Sequence, residues 1–154
     1  MRIELVKEFR FEAAHQLPMV PPDHKCFRMH GHSYRIEVMA EGEVDPQMGW
    51  LVDFGDVSAI VEPILKQELD HRTLNDVPGL ENPTSEILAK WIRDRLRPKL
   101  PSLVQVTLFE TCYGSCEYVG DCCRRRWFAG SRPSRSPWSS KGPRAALVAW
   151  NPHT

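Results

Sequence analysis

The sequence predicts an α+β fold in which an antiparallel β-sheet carries two helices on one face. Two observations lead to this prediction. Period-two alternation of apolar and polar residues, typical of half-buried strands, occurs near both ends of the first 121 residues. Between these regions lie two stretches whose apolar residues follow helical spacing. The expected order is two strands, two helices and two strands, which favours a sheet covered by one layer of helices.

The two N-terminal strands each place histidine among apolar residues. In the first strand, one face carries Phe9, Phe11, Ala13 and His15. In the second strand, at about residues 30–41, one face carries His32, Tyr34, Ile36, Val38 and Ala40. Since alternate residues of a strand share a face, these histidines are expected on the apolar side of the sheet.

The first helix is predicted from Val57 to Leu69, where apolar residues recur at helical spacing. Pro63 lies inside it and is expected to bend the helix or to remove one backbone hydrogen bond. A loop is expected at 70–81.

The second helix is predicted to have Asn82 as its N-cap and Pro83 in its first turn, and to end at Pro98. Its expected buried stripe consists of Ile87, Leu88, Trp91, Ile92 and Leu96. A third strand follows, with one face formed by Val104, Val106, Leu108 and Glu110. A short fourth strand at 116–119 is expected to pair with it.

The formal net charge of zero conceals two regions of opposite character. Residues 1–121 contain all twenty acids and thirteen Lys and Arg, a net charge of −7, whereas 122–154 contain seven basic residues and no acid. The second region is rich in Arg, Ser, Pro and Gly without periodicity, which predicts a disordered tail after a folded domain of residues 1–121. Basic residues among aromatic ones can bind nucleic acid, but the acidic domain disfavours that partner.

The sequence also indicates in which cellular compartment the protein is expected. No apolar run reaches the roughly 18–20 residues that a membrane helix needs, and the first residues lack the apolar segment of a signal peptide. The five cysteines are an odd number, which argues against a disulfide framework. A cytoplasmic protein without membrane partners is expected.

The segment His30-Gly31-His32 is the strongest chemical signal. Residues two apart on a strand project from the same face, so both imidazoles can converge on one point. His15 has the matching parity on the neighbouring strand. Three imidazoles with a fourth position open form a catalytic zinc site, which is favoured over the alternative that these are ordinary polar residues at strand ends.

Three further groups are candidates for proton transfer or binding. Cys26 precedes His30 by four residues and is a candidate zinc ligand, general base or structural thiol. Asp70 can orient His71 and support its protonated form, although a solvated loop pair is the alternative. Glu110 ends an apolar strand face, where a carboxylate needs hydrogen-bond donors that a ligand could supply; a frayed strand end is the other interpretation.

Seven segments in order resemble the 6-pyruvoyl-tetrahydropterin synthase superfamily, over about residues 3–120. They are FEAAH at 11–15, CFRMHGHSY at 26–34, GWLVDF at 49–54, LDH at 69–71, LND at 74–76, ENPTSE at 81–86 and ETC at 110–112. Three residues separate Cys26 from His30, as in members that form 6-carboxytetrahydropterin in the queuosine and 7-deazapurine pathway. Members of the biopterin branch typically have a longer insertion there, and a folate-related branch has Glu in place of Cys26.

The resemblance implies a tunnelling fold assembled as a homohexamer of two trimers, with active sites between subunits. It implies a zinc-dependent lyase that converts 7,8-dihydroneopterin triphosphate to 6-carboxy-5,6,7,8-tetrahydropterin, triphosphate and acetaldehyde. By position, zinc is held by His15, His30 and His32; Cys26 accepts the proton, Asp70 and His71 form a relay, Glu110 anchors the pterin ring, and Thr84 and Ser85 hydrogen-bond to it. No nicotinamide or flavin is expected. The alternatives are the pyruvoyl-forming synthase of biopterin-type synthesis and a non-catalytic zinc- or pterin-binding protein.

Overall fold

The structure, a computed structural model, describes residues 1–121; the predicted tail lies outside the described residues. The five strands of the described part are β1 (Arg2–His15), β2 (His30–Glu43), β3 (Arg72–Thr73), β4 (Leu103–Thr111) and β5 (Gly114–Tyr118). They form one sheet in the order β3-β1-β2-β4-β5. All neighbours pair antiparallel except β1 and β3, which are parallel. A mixed fold of one sheet and two helices is therefore confirmed.

The first helix, α1 (Phe54–Ile64), begins where the Asp53 side chain accepts a hydrogen bond from the Gly55 N–H. Pro63 lies inside it, and the chain continues as a π-helical turn, Leu65–Leu69. Because proline has no N–H to donate, a local change of hydrogen bonding near Pro63 agrees with the sequence-based expectation.

The second helix, α2 (Ser85–Leu96), has Thr84 as its N-cap, with the side-chain oxygen 3.4 Å from the Ile87 nitrogen. The prediction of Asn82 as the cap is wrong by two residues. Thr84 precedes Ile87 by three residues, the spacing at which a capping oxygen reaches a free helical N–H. Ile87 itself is 41% exposed, so its predicted place in the buried stripe is also wrong.

Two other elements differ from the sequence-based expectation. The segment expected to be a loop at 70–81 contains β3 and a 3₁₀ turn, Leu74–Asp76, so a short strand lies between the two helices. In β4 the pairing with β2 shifts between Met39 and Ala40, which puts Leu103 opposite Ala40. Leu103 rather than Val104 is therefore buried, because a bulge exchanges the residues that face each side.

The core lies between one face of the sheet and the two helices. Its sheet side chains alternate along the strands, as a single covered face requires. They include Phe9, Phe11, Ala13, Tyr34, Ile36, Val38, Val106 and Leu108. The helices contribute Val57, Val61, Leu88, Ala89, Trp91, Ile92 and Leu96. Neither helix combines the length and apolar character needed to cross a bilayer.

Leu108→Ala is expected to lower the free energy of unfolding by about 2–5 kcal/mol, because it leaves a cavity in the core. Leu108 is 0% exposed and lies opposite Ile36. Denaturant unfolding measures the loss, and Ile87→Ala is the control, since its side chain is largely in solvent. Equal losses in the two variants would contradict the described core.

Candidate metal centre and active site

Three histidines meet at the end of the β1–β2 pair. His15 is the last residue of β1 and is paired with His30, the first residue of β2. His32 lies two residues further on the same face, next to Ala13 across the ladder. The Nε2 atoms of His15 and His30 are 3.1 Å apart, and the ring centroids of the three imidazoles are separated by 4.6–5.1 Å. The structure thus brings together the three predicted metal ligands.

Backbone carbonyls orient two of these rings. His15 Nδ1 lies 3.0 Å from the Pro83 carbonyl oxygen, and His30 Nδ1 lies 2.7 Å from the Arg28 carbonyl oxygen. A carbonyl only accepts, so each Nδ1 carries the proton and each Nε2 presents a lone pair to the centre of the cluster. This arrangement of outer partners is usual around metal-binding histidine.

His32 provides the test of whether a metal fits. Its Nε2 is buried and has no hydrogen-bond partner, which is costly unless a cation fills the gap. Burial also lowers the pKa of His32, which favours the neutral ring that binds a metal. The three-imidazole donor set suits zinc, so the residues fit the predicted ion.

Glu110 faces the same cluster from β4. Its Oε1 lies 3.0 Å from His32 Nε2 and 3.5 Å from His15 Nε2, and its Oε2 accepts a 2.5 Å hydrogen bond from Ser85 Oγ. The close contact with His15, and then the hydrogen bond from Ser85, lowers the pKa of Glu110 to about 2. The carboxylate is therefore ionised at neutral pH and can accept N–H bonds or bind a cation.

Cys26 lies in a short 3₁₀ turn, Lys25–Phe27, between β1 and β2. The His24 side chain caps this turn by accepting from the Cys26 N–H, and the Cys26 carbonyl accepts from the Leu17 N–H. The thiol is free and half-buried. Cys26 is not a member of the four-residue cluster of metal-type ligands in the described residues, which leaves the roles of base and structural thiol open.

Asp70 and His71 lie at the edge of the sheet, next to β3. Asp70 Oδ1 accepts from the Glu12 N–H and lies 3.0 Å from His71 Nδ1, while the His71 N–H donates to the Glu12 carbonyl. These bonds lower the pKa of Asp70, chiefly through the Glu12 N–H. His71 has φ 57° and a side chain 78% exposed. Backbone strain in a non-glycine residue is typical of functional positions.

The two predicted pterin-binding residues next to α2 have visible structural roles. Thr84 caps the helix, and Ser85 holds Glu110. Asn82, assigned as the cap from sequence, instead has a buried Oδ1 without a hydrogen-bond partner.

Sequence reasoning missed two residues that support His15. Tyr34 is fully buried, and its hydroxyl lies 3.3 Å from His15 Nδ1. Asn75 accepts from the Gln16 N–H and donates to the carbonyls of Gln16 and Glu81. It thereby ties the residue after His15 to the segment that leads to the Pro83 carbonyl. Tyr34 is two residues from His32 and shares its strand face, which could have indicated a place beside the histidines. Nothing in the local sequence indicated the role of Asn75.

Asn75→Ala is expected to weaken zinc binding by about tenfold, as is usual for loss of an outer partner that orients a ligand. Competition with a chromophoric chelator measures the affinity. Gln47→Ala removes an exposed turn amide and serves as the control. Unchanged zinc affinity in a folded Asn75→Ala protein would show that the Gln16 bridge does not position His15.

Comparison with known proteins identifies relatives over most of the described part. The family model described as 6-pyruvoyl tetrahydropterin synthase matches residues 4–121. The chain is 42% identical over 119 residues to 6-carboxy-5,6,7,8-tetrahydropterin synthase of Synechocystis sp., an alignment that covers 74% of this chain and 91% of the relative. It is 35% identical over 106 residues to dihydroneopterin monophosphate aldolase of Pyrococcus furiosus, covering 69% and 85%.

A solved structure agrees with these sequence relatives. The 6-pyruvoyl tetrahydropterin synthase of Caenorhabditis elegans superposes with a TM-score of 0.72 at 28% identity, covering 78% of this chain and 96% of that one. The family match at residues 4–121 includes the strands that carry the histidine cluster. The chain belongs to the 6-pyruvoyl tetrahydropterin synthase family.

Proposed function

We propose that the protein is a zinc-dependent lyase that converts 7,8-dihydroneopterin triphosphate to 6-carboxy-5,6,7,8-tetrahydropterin, releasing triphosphate and acetaldehyde. The observation that carries the proposal is the convergence of His15, His30 and His32 on one point beside the ionised Glu110. The similarity to the Synechocystis synthase supports this product. With this activity the protein would act in queuosine or 7-deazapurine synthesis, and the sequence-based expectation of a cytoplasmic location is part of the proposal.

The three histidines would hold the zinc through Nε2, with rings fixed by the carbonyls of Pro83 and Arg28. An ion held there would supply Lewis-acid chemistry, which would polarise side-chain oxygens of the substrate and lower the cost of removing a neighbouring C–H proton.

Glu110 would fix the pterin ring. An ionised carboxylate can accept two N–H bonds from the paired donor edge of the ring, and such charge-assisted bonds are strong and directional. Ser85 already restrains one of its oxygens. Thr84 and Ser85 lie at the N-terminus of α2, next to this contact, and would provide further hydrogen bonds to the ring.

Cys26 would remove the substrate proton, with Asp70 and His71 as the relay that returns one. Asp70 and His71 lie at the β3 edge and belong to no cluster with Cys26 in the described chain. Their exposure at a sheet edge supports an oligomer in which Asp70 and His71 of one chain lie in the active site that contains Cys26 of a neighbouring chain. A tunnelling-fold hexamer of two trimers, with sites between subunits, meets this requirement.

The pyruvoyl-forming reaction is the second candidate, because the C. elegans structure carries that name. The Pyrococcus relative, named as an aldolase, illustrates that proteins similar to this chain carry names for different reactions. The three-residue spacing between Cys26 and His30 favours the carboxy-forming reaction over the pyruvoyl-forming one. A non-catalytic pterin-binding protein is the remaining alternative.

Product analysis with 7,8-dihydroneopterin triphosphate tests the proposal. The zinc-loaded protein is expected to form 6-carboxytetrahydropterin and an equal amount of acetaldehyde, both detectable by chromatography after derivatisation. A 6-pyruvoyl product would assign the chain to the second candidate. Binding of the substrate without any turnover would support the non-catalytic alternative and contradict the proposal.

A further inference from the structure

The histidine cluster contains a fourth ligand atom, the Oε1 of Glu110. One ligand atom from each of His15, His30, His32 and Glu110 lies within 4.8 Å of the others. Three of the separations are 3.0, 3.1 and 3.5 Å. Zinc ligands at about 2.0–2.1 Å in a tetrahedron are about 3.3–3.4 Å apart. These three separations are therefore close to those of a tetrahedral zinc site, and the fourth atom lies near enough to complete it.

The contact between Glu110 and His32 is not explained by a hydrogen bond. Glu110 Oε1 is 3.0 Å from His32 Nε2, yet this buried nitrogen makes no hydrogen bond. The lone pair of an imidazole nitrogen and a carboxylate oxygen at this distance repel each other unless a cation lies between them. A shared metal ion satisfies both atoms at once.

The fold also fixes the direction of the carboxylate. The imidazoles come from β1 and β2, and Glu110 comes from β4, which neighbours β2 in the sheet. Ser85, at the start of α2, holds Oε2, so Oε1 is the oxygen directed at the histidines. Ser85 binds only Oε2 of Glu110. The Oε1 atom can therefore change its partner while the hydrogen bond from Ser85 holds the side chain in place.

We propose that Glu110 is the fourth zinc ligand of the substrate-free protein and leaves the metal when the pterin ring takes the same carboxylate. This inference rests on the proposed function, in which Glu110 binds the ring. A zinc ion with four protein ligands is closed to substrate, whereas a catalytic site needs an open position. Exchange of Glu110 from metal to ring would open the site only when a pterin is present.

The first test compares metal binding by the wild type and Glu110→Gln, which keeps the size of the side chain and removes its charge. The zinc dissociation constant is expected to rise by at least about tenfold, since loss of an outer partner alone costs that much. The visible absorption of the cobalt(II)-substituted protein is expected to change, because its intensity depends on coordination number and donor type. Glu117→Gln, at an exposed carboxylate on β5, is the matched control.

A folded Glu110→Gln protein with the zinc affinity and cobalt spectrum of the wild type would overturn the proposal. Circular dichroism of the metal-free proteins checks folding. Glu110→Asp provides a second variant, because it keeps the charge but withdraws the oxygen by one methylene. It is also expected to bind zinc more weakly.

The second test uses unsubstituted pterin, which carries the ring but no side-chain oxygens that could bind the metal. Titration of pterin is expected to move the cobalt spectrum of the wild type towards that of Glu110→Gln. By linkage, pterin should bind more tightly to the metal-free protein than to the zinc-loaded one.

An unchanged cobalt spectrum at saturating pterin would overturn the exchange. Absence of pterin binding to every form would overturn the exchange together with the proposed function. The affinity and spectrum of Glu110→Gln would still decide whether Glu110 binds the metal, so the two failures are distinguishable.

Discussion

His32→Ala is expected to reduce bound zinc to less than about a tenth of the wild-type content after dialysis and to abolish turnover. The reason is that the protein retains zinc only when all three imidazoles bind it. The Nε2 of His32 makes no hydrogen bond. Its removal therefore deletes a metal contact without disrupting a hydrogen bond. Elemental analysis and the product assay measure the two effects.

His24→Ala is the control for zinc content, since this exposed histidine caps the Cys26 turn and lies outside the cluster. Zinc retained at the wild-type level by His32→Ala would contradict the assignment of the metal centre. Because the wild-type cluster leaves a buried nitrogen unsatisfied, the folded His32→Ala protein is expected to be no less stable than the metal-free wild type.

Cys26→Ala is expected to lower turnover by about 10²- to 10⁴-fold while zinc content stays unchanged, as for loss of a general base. Unchanged zinc content would distinguish a general base from a zinc ligand, because loss of a ligand would also lower the zinc content. Cys116→Ala is the matched control, because Cys116 is likewise a free and half-buried thiol. A Cys26→Ala protein with full activity would remove the thiol from the mechanism.

Mixing subunits extends this prediction to the relay. His71→Ala is expected to be as inactive as Cys26→Ala when pure. If each site takes Cys26 from one chain and His71 from another, refolding an equal mixture restores intact sites at about a quarter of the wild-type number. No recovery of activity in mixed oligomers would indicate that both residues of a site come from one chain.

The histidine cluster was predictable from sequence because its geometry is local. Period-two projection along a strand places His30 and His32 on one face, and the length of the β1–β2 connection brings His15 opposite His30. The same rule placed Glu110 on the apolar face of its strand. The sheet and both helices were also predicted from periodicity, whereas family membership was predicted from the resemblance of seven sequence segments.

The remaining features depend on tertiary packing, which periodicity does not report. β3 has only two residues, too few to show a pattern, and it forms because Arg72 and Thr73 align with the exposed edge of β1. The hydrogen bond between Ser85 and Glu110 joins α2 to β4 across 25 residues of sequence. Asn82 and Thr84 are both capping residue types, and only the position of the first helical turn distinguishes them.

Zinc titration of the metal-free protein, followed by the initial rate of 6-carboxytetrahydropterin formation, tests whether the chain is a zinc-dependent synthase. We expect no rate without metal, a linear rise as zinc is added, and a plateau at one zinc per chain. Full activity in the metal-free protein, or no formation of this product at any zinc concentration, would contradict it.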